Sequence, residues 1–168
     1  MKRGLRILLV DDHSLVRDGV EAILRLEKDI EHISHAATAA EALVSVKADM
    51  PDLILLDRRM PDGDGFDLLL ELQKKKPQPR VIMMTASAMR QEMELARSLG
   101  AAGHLPKTIR RAALIEAIHS VLAGGTCFES AATTAPLLSP RELQVLENLR
   151  RGLSNQDISR VLEISVQP

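Results

Sequence analysis

The sequence predicts an α/β fold: a doubly wound, five-stranded parallel sheet covered by helices, followed by a linker and a partial all-α segment. Two observations carry that prediction. Short apolar runs recur at residues 7–10, 53–56, 81–84 and 101–105, and the first three lack polar alternation, as strands buried on both faces do. Stretches with helical period separate them, so that strand and helix alternate five times.

Taken in order, Ile7-Leu8-Leu9-Val10 opens the sheet, and a helix with Val16, Val20, Ile23 and Leu24 on one face follows. Residues 31–36 mix polar with apolar positions and read as an edge strand. Thr38 and Glu41 form a capping-box pattern that opens the Ala-rich segment to Ala48. After the strand at 53–56 come Phe66, Leu69 and Leu70 on a third helical stripe, and Lys74-Lys75-Lys76 reads as its solvated end. Met89, Met93 and Ala96 mark the fourth helix, and Leu114, Ile115, Ile118 and Leu122 the fifth. With Phe66 and Phe128 the only aromatic residues, the methionines at 83, 84, 89 and 93 are expected to fill core.

The first domain is therefore expected over residues 1–122. Small, turn-forming residues make 123–137 a linker. Order returns over 138–168, where Ser139-Pro140-Arg141-Glu142 and then Ser154 with Asp157 look like the caps of two short helices. Two such helices bury little by themselves, so this tail reads as a domain cut off midway. The 22 basic and 23 acidic side chains nearly cancel, so no bulk field draws the chain to nucleic acid or to a membrane. A single cysteine, Cys127, excludes an internal disulfide and suits a reducing compartment. The N-terminus is too soon charged for a signal peptide or span, so a cytoplasmic protein is expected.

In open parallel sheets, ligands bind beyond the carboxyl ends of the strands. There the sequence puts Asp11-Asp12 after the first run, Asp57 after the third strand, Thr85 after the fourth and Lys107 after the fifth. Carboxylates gathered so closely repel one another unless a cation sits among them. A hard divalent ion that binds one or two carboxylates plus phosphate oxygens describes Mg²⁺. A carboxylate beside such an ion can attack a phosphoryl group, with Lys107 neutralising the transferring oxygens and Thr85 bonding one of them afterwards. His13, His32 and His35 lack the spacing of a metal site and read as surface or capping residues.

At these residues the sequence resembles the response regulators of two-component systems. Residues 5–122 resemble their receiver domain through Leu8-Leu9-Val10-Asp11-Asp12-His13, Leu55-Leu56-Asp57-Arg58-Arg59-Met60-Pro61, Met84-Thr85-Ala86 and Gly100 through Lys107. Residues 139–165 resemble the first part of a NarL/LuxR-type helix-turn-helix, through Leu-Ser-Pro-Arg-Glu, Gly-Leu-Ser-Asn-Gln-Asp-Ile-Ser and Leu-Glu-Ile-Ser. The resemblance implies a flavodoxin-like sheet of strand order 2-1-3-4-5, with Asp57 phosphorylated by a sensor histidine kinase and transcription as the output. It further implies that Asp11, Asp12, Asp57 and the backbone carbonyl of Arg59 hold Mg²⁺, that Lys107 pairs with the phosphoryl group, and that Thr85 and the residue at 104 form the switch. Phosphorylation would then reshape the face of the fourth helix, fifth strand and fifth helix and promote a homodimer.

The departures from the family pattern are specific. His104 stands where Tyr or Phe is usual, Arg58 where an apolar residue is common, and Glu163 where the helix-turn-helix turn carries Gly. Arg59 and Ser87 would tune water access to the acyl phosphate. The chain stops at Pro168, before a recognition helix, and the tail is charge-balanced, so specific DNA binding is expected only of an intact full-length form. Beyond its own phosphotransfer and autodephosphorylation, no enzymatic activity is expected. Phosphatases with an Asp-x-Asp nucleophile motif after the first strand differ from the Asp11-Asp12-His13 found here. The alternative is a phosphorylation-independent pseudo-receiver that works through its surface.

Overall fold

Burial on both faces is what frees the central strands from polar alternation, and the elements of the chain are arranged to provide it. The structure, a computed structural model, describes residues 4–87 and 89–128. In chain order these form β1 (Leu5–Val10), α1 (Ser14–Leu24), β2 (Ile30–Ala36), α2 (Ala39–Ala48), β3 (Leu53–Asp57), β4 (Arg59–Met60) and β5 (Gly63–Asp64). There follow α3 (Gly65–Gln73), β6 (Arg80–Thr85), α4 (Arg90–Ser98), β7 (Gly103–Pro106), α5 (Arg111–Leu122) and β8 (Cys127–Phe128). The main sheet runs β2-β1-β3-β6-β7-β8 with every pairing parallel. Its first five members are the order expected from the resemblance.

Successive side chains of a strand point to opposite faces, and the two faces here collect separate cores. Leu8, Val10, Ile54, Leu56, Val81 and Met83 join Val46, Leu69, Leu72 and Ala96 from α2, α3 and α4. Ile7, Leu9, Leu53, Leu55, Ile82 and Met84 join Leu24 from α1 and Leu114, Ile118 and Val121 from α5. Each such fully buried aliphatic side chain contributes about 1.5–3 kcal/mol, which is why apolar runs dominate the local sequence signal. At the edge, β2 keeps polar residues exposed, as its mixed pattern predicts. Thr38 caps α2 as expected, and Glu41 reaches back one residue beyond the cap. The Glu41 amide donates to Thr38 Oγ1 at 3.1 Å, and the Glu41 carboxylate accepts from the Ala37 amide at 2.8 Å.

The structure departs from the sequence reading at four places. A sixth strand, β8, extends the sheet from within the segment read as linker. It is only two residues long and has no apolar run to announce it, so tertiary fit alone makes it a strand. Glycine at 103 admits it, because a Cβ there would collide with Cys127. Phe128 packs on the first core, with Arg97 of α4 over its ring at 4.5 Å. The β4–β5 hairpin is likewise unannounced, since its pairing spans two residues on each side. Met89 is 55% exposed rather than core, because α4 begins one residue later and leaves it at the N-cap. On α3, Leu70 is largely exposed while Leu68 and Leu72 are buried with Phe66 and Leu69, a face rotated from the expected stripe.

All described residues fall in the first of two compact units, residues 1–131. The predicted caps and helices of 138–168, Glu163 among them, lie outside the described residues. Among the described residues no helix is long and apolar enough to cross a membrane.

Candidate functional site

The register of the sheet brings four strand ends into one row. Val10 pairs with Leu56, Asp57 with Met84, and Thr85 with Pro106, so Asp11, Asp57, Thr85 and Lys107 emerge side by side. The backbone ties the row together: the Lys107 amide donates to the Thr85 carbonyl at 2.7 Å and the Asp11 amide to the Ala36 carbonyl at 3.1 Å. Behind it, Gly65 lets α3 start against the loop that follows β3. Any Cβ at that position would run into the Asp57 carbonyl and Arg58 backbone.

These polar groups are as buried as the core behind them: Asp57 is 4% exposed, Thr85 5% and Asp11 6%. The Lys107 ammonium lies 2.6 Å from Asp11 Oδ2 and 2.9 Å from Asp57 Oδ2, bridging the two carboxylates. Burial raises the Asp57 pKa above its ordinary value, and the nearby Asp11 charge adds to the effect, against the lowering by Lys107 and the Arg59 amide. For Lys107, burial opposes the charged form, but hydrogen bonds to Asp11 and Asp57 outweigh it and raise the pKa.

One atom each from Asp11, Asp12, His13 and Asp57 falls within 4.8 Å of all the others. One lysine against three carboxylates leaves an excess of negative charge in a sheltered, oxygen-rich place, and that donor set fits a hard divalent cation. His13 is the member that the sequence reading set aside as a surface or capping residue. It occupies the N-cap position of α1 without capping it through its side chain. Instead its ring Nδ1 sits 3.0 Å from Asp11 Oδ1 and 2.9 Å from Asp12 Oδ1, while its amide donates to Asp11 Oδ1 at 2.8 Å. Its position directly after the aspartate pair was the available signal. Arg17 was also missed; one turn into α1, its guanidinium donates to the Asp11 carbonyl.

Of the remaining predicted residues, Arg59 and Ser87 line the cavity that also contains Asp57, Thr85 and Lys107. The side chains of both are exposed at its mouth. The Thr85 hydroxyl donates to the Ser87 carbonyl at 3.0 Å and accepts from the Ser87 amide at 3.2 Å. His104 lies apart from this cavity, on β7 opposite Met83 of β6. It is 2% exposed, and its Nδ1 has no hydrogen-bond partner among the described residues. Burial lowers its pKa, opposed by Glu92 and reinforced by Arg58, so the site favours the neutral ring. His32 and His35 take no part in the cluster; His35 instead pairs with Glu21 of α1 at 2.8 Å.

Comparison with known proteins agrees with this geometry. Residues 7–119 match the response regulator receiver domain family, and residues 136–167 match the luxR family of bacterial regulatory proteins. The response regulator protein VraR of Staphylococcus epidermidis is 29% identical over 176 residues, spanning 98% of this chain and 84% of that protein. Among solved structures, a CheY-like response regulator receiver domain protein from Methanospirillum hungatei JF-1 superposes with a TM-score of 0.66 at 30% identity. That match covers 72% of this chain and 95% of the other. A LuxR-family two-component response regulator from Aurantimonas sp. SI85-9A1 gives a TM-score of 0.70 at 26% identity, covering 88% of this chain and 99% of that one.

Proposed function

The chain belongs to the response regulator receiver family, with a luxR-family match beyond it, and from that premise we propose that Asp57 is its phosphoacceptor. The observation that carries this is the Lys107 ammonium set between Asp11 and Asp57 at the carboxyl edge of the sheet. An oxygen of Asp57 attacks the phosphorus of a phosphohistidine on a sensor kinase. The new P–O bond forms as the P–N bond breaks, and the electron pair returns to the imidazole nitrogen. Lys107 stays at the acceptor carboxylate and balances charge on the transferring oxygens. Asp11, Asp12 and Asp57 with the Arg59 carbonyl would hold Mg²⁺, which would supply positive charge against the phosphoryl oxygens. His13 then serves to orient Asp11 and Asp12 through the contacts described above.

Once Asp57 carries about two extra negative charges, the Thr85 hydroxyl has a stronger acceptor than the Ser87 carbonyl, and it turns toward the phosphoryl group. Residue 104, one strand over, adjusts to the space that Thr85 leaves, and the α4–β7–α5 face changes shape. Arg59 and Ser87, at the mouth, govern the entry of water that hydrolyses the acyl phosphate. The output is control of transcription in the cytoplasm, by a phosphorylation-favoured homodimer, with DNA contacted through a luxR-type domain. The chain catalyses nothing beyond its own phosphotransfer and autodephosphorylation.

The test is intact-mass measurement after incubation with acetyl phosphate, with and without Mg²⁺, on the wild type and Asp57→Asn. A single Mg²⁺-dependent phosphoryl adduct on the wild type alone is the expected result. A wild type that takes up no phosphoryl group from any donor replaces this function with that of a phosphorylation-independent interaction module.

A further inference from the structure

Beside the acceptor site lies a charged pair to which the phosphotransfer assigns no part. Arg58, the residue after Asp57, donates from Nη1 to Oε1 of Glu92, which stands in the first turn of α4. Its Nη2 is 3.7 Å from Asp64 Oδ2, and its guanidinium lies 5.2 Å from the centre of the Phe66 ring. The Arg58 Nε is buried and lacks a hydrogen-bond partner among the described residues. The second oxygen of Glu92 faces the switch hydroxyl: Thr85 Oγ1 is 3.4 Å from Glu92 Oε2. One carboxylate thus binds Arg58 with one oxygen and lies beside Thr85 with the other, while the Thr85 proton goes to the nearer Ser87 carbonyl at 3.0 Å. All three side chains line the cavity that contains Asp57.

We infer that Glu92 is a positioning residue for the phosphoryl switch, holding Arg58 in the resting chain until a phosphoryl group on Asp57 competes for it; this presupposes Asp57 as the acceptor. The competition follows from the chemistry of the groups. A phosphoryl group offers three acceptor oxygens and more charge than a carboxylate, and a guanidinium binds it through a fork of donors. The unpartnered Nε gives Arg58 donor capacity that Glu92 does not use. Glu92 itself carries the same sign of charge as the incoming group and lines the cavity it must enter, so it opposes phosphorylation on two counts. Its release also frees the first turn of α4, which links the event at Asp57 to the α4 face. The two partners lie on separate elements, so the bridge ties the acceptor loop to α4 directly.

The experiment follows adduct formation from acetyl phosphate and Mg²⁺ by intact mass on four chains: wild type, Glu92→Gln, Arg58→Gln and the double variant. Thermal unfolding of each unphosphorylated chain is recorded alongside. Glu92→Gln keeps the shape but removes the charge, and adduct formation accelerates about fivefold, a typical size of coupling between contacting residues. In the Arg58→Gln background most of that acceleration disappears. A bridge that is only structural gives coupling in the unfolding data and none in the rates. That result overturns the inference, as does a Glu92→Gln rate equal to wild type or an acceleration independent of Arg58. If a variant does not fold, the wild type still decides. On adding beryllofluoride and Mg²⁺, the Arg58 Nε–H nuclear magnetic resonance moves and its exchange with water slows; an unchanged signal in a chain that binds the mimic overturns the inference. A wild type with no adduct and no mimic binding removes the phosphoacceptor reading and this inference together, whereas normal wild-type adducts with unresponsive variants remove this inference alone.

Discussion

Ile54 and Leu56 in the middle of β3, and Asp57 at its end, are buried almost alike, yet burial acts on them in opposite directions. For the aliphatic residues, leaving water is the source of stability. For Asp57 the same withdrawal costs free energy and pushes its pKa up, and only Lys107 and the Arg59 amide offset it. The sheet interior and its carboxyl edge are therefore one scaffold under two regimes. The first stabilises the fold, and the second spends part of that stability on holding charged groups in place.

Substitutions that separate the regimes sharpen the contrast. Ile54→Ala, at a position with no solvent exposure and neighbours on every side, costs about 4 kcal/mol from lost transfer free energy and the cavity left behind. Urea unfolding should show this as a lower midpoint with little change in slope. Lys107→Met deletes the ammonium but keeps the aliphatic stem, leaving Asp11 and Asp57 facing one another. Loss of one partner from a buried charge set costs about 3 kcal/mol, and the loss should shrink when Asp57→Asn is added, because the repulsion then disappears. Equal losses with and without Asp57→Asn would mean that the edge is not under electrostatic control.

The smallest effect concerns His104. Its folded pKa lies below the ordinary value of 6.5, so near and below that pH the unfolded chain binds a proton that the folded chain refuses. Unfolding is then favoured as pH falls, and stability is regained as pH rises through the window up to 6.5. Melting temperatures measured between pH 7 and pH 5 should fall in the wild type and fall less in His104→Phe. A parallel decline in both would assign the pH dependence to other groups.

Much of this protein is readable locally. Apolar runs give β1, β3 and β6 because strands buried on both faces need no partner identity to be recognised. The polar row is equally legible in its placement, since Asp11, Asp57, Thr85 and Lys107 each directly follow or end a strand, with Asp12 one residue on, and the strand order converts those positions into neighbours. Spacing gives His13 no metal-site signal; it stands exposed at the N-cap of α1, and only its contact with two aspartates brings it into the cluster.

What the sequence determined by itself is the alternation of the five principal strands and helices, the sheet class and the identity of the acidic edge, all encoded in periodicity and in which residue ends each strand. The tertiary structure alone decided the rest. β8 exists because Gly103 leaves room for it, and Met89 is exposed because α4 starts one residue late. Arg58 found Glu92 at a separation of 34 residues. Contacts of that kind depend on how helices settle against the sheet, and no local pattern of hydrophobicity or turn chemistry records where a long side chain will find its charge partner.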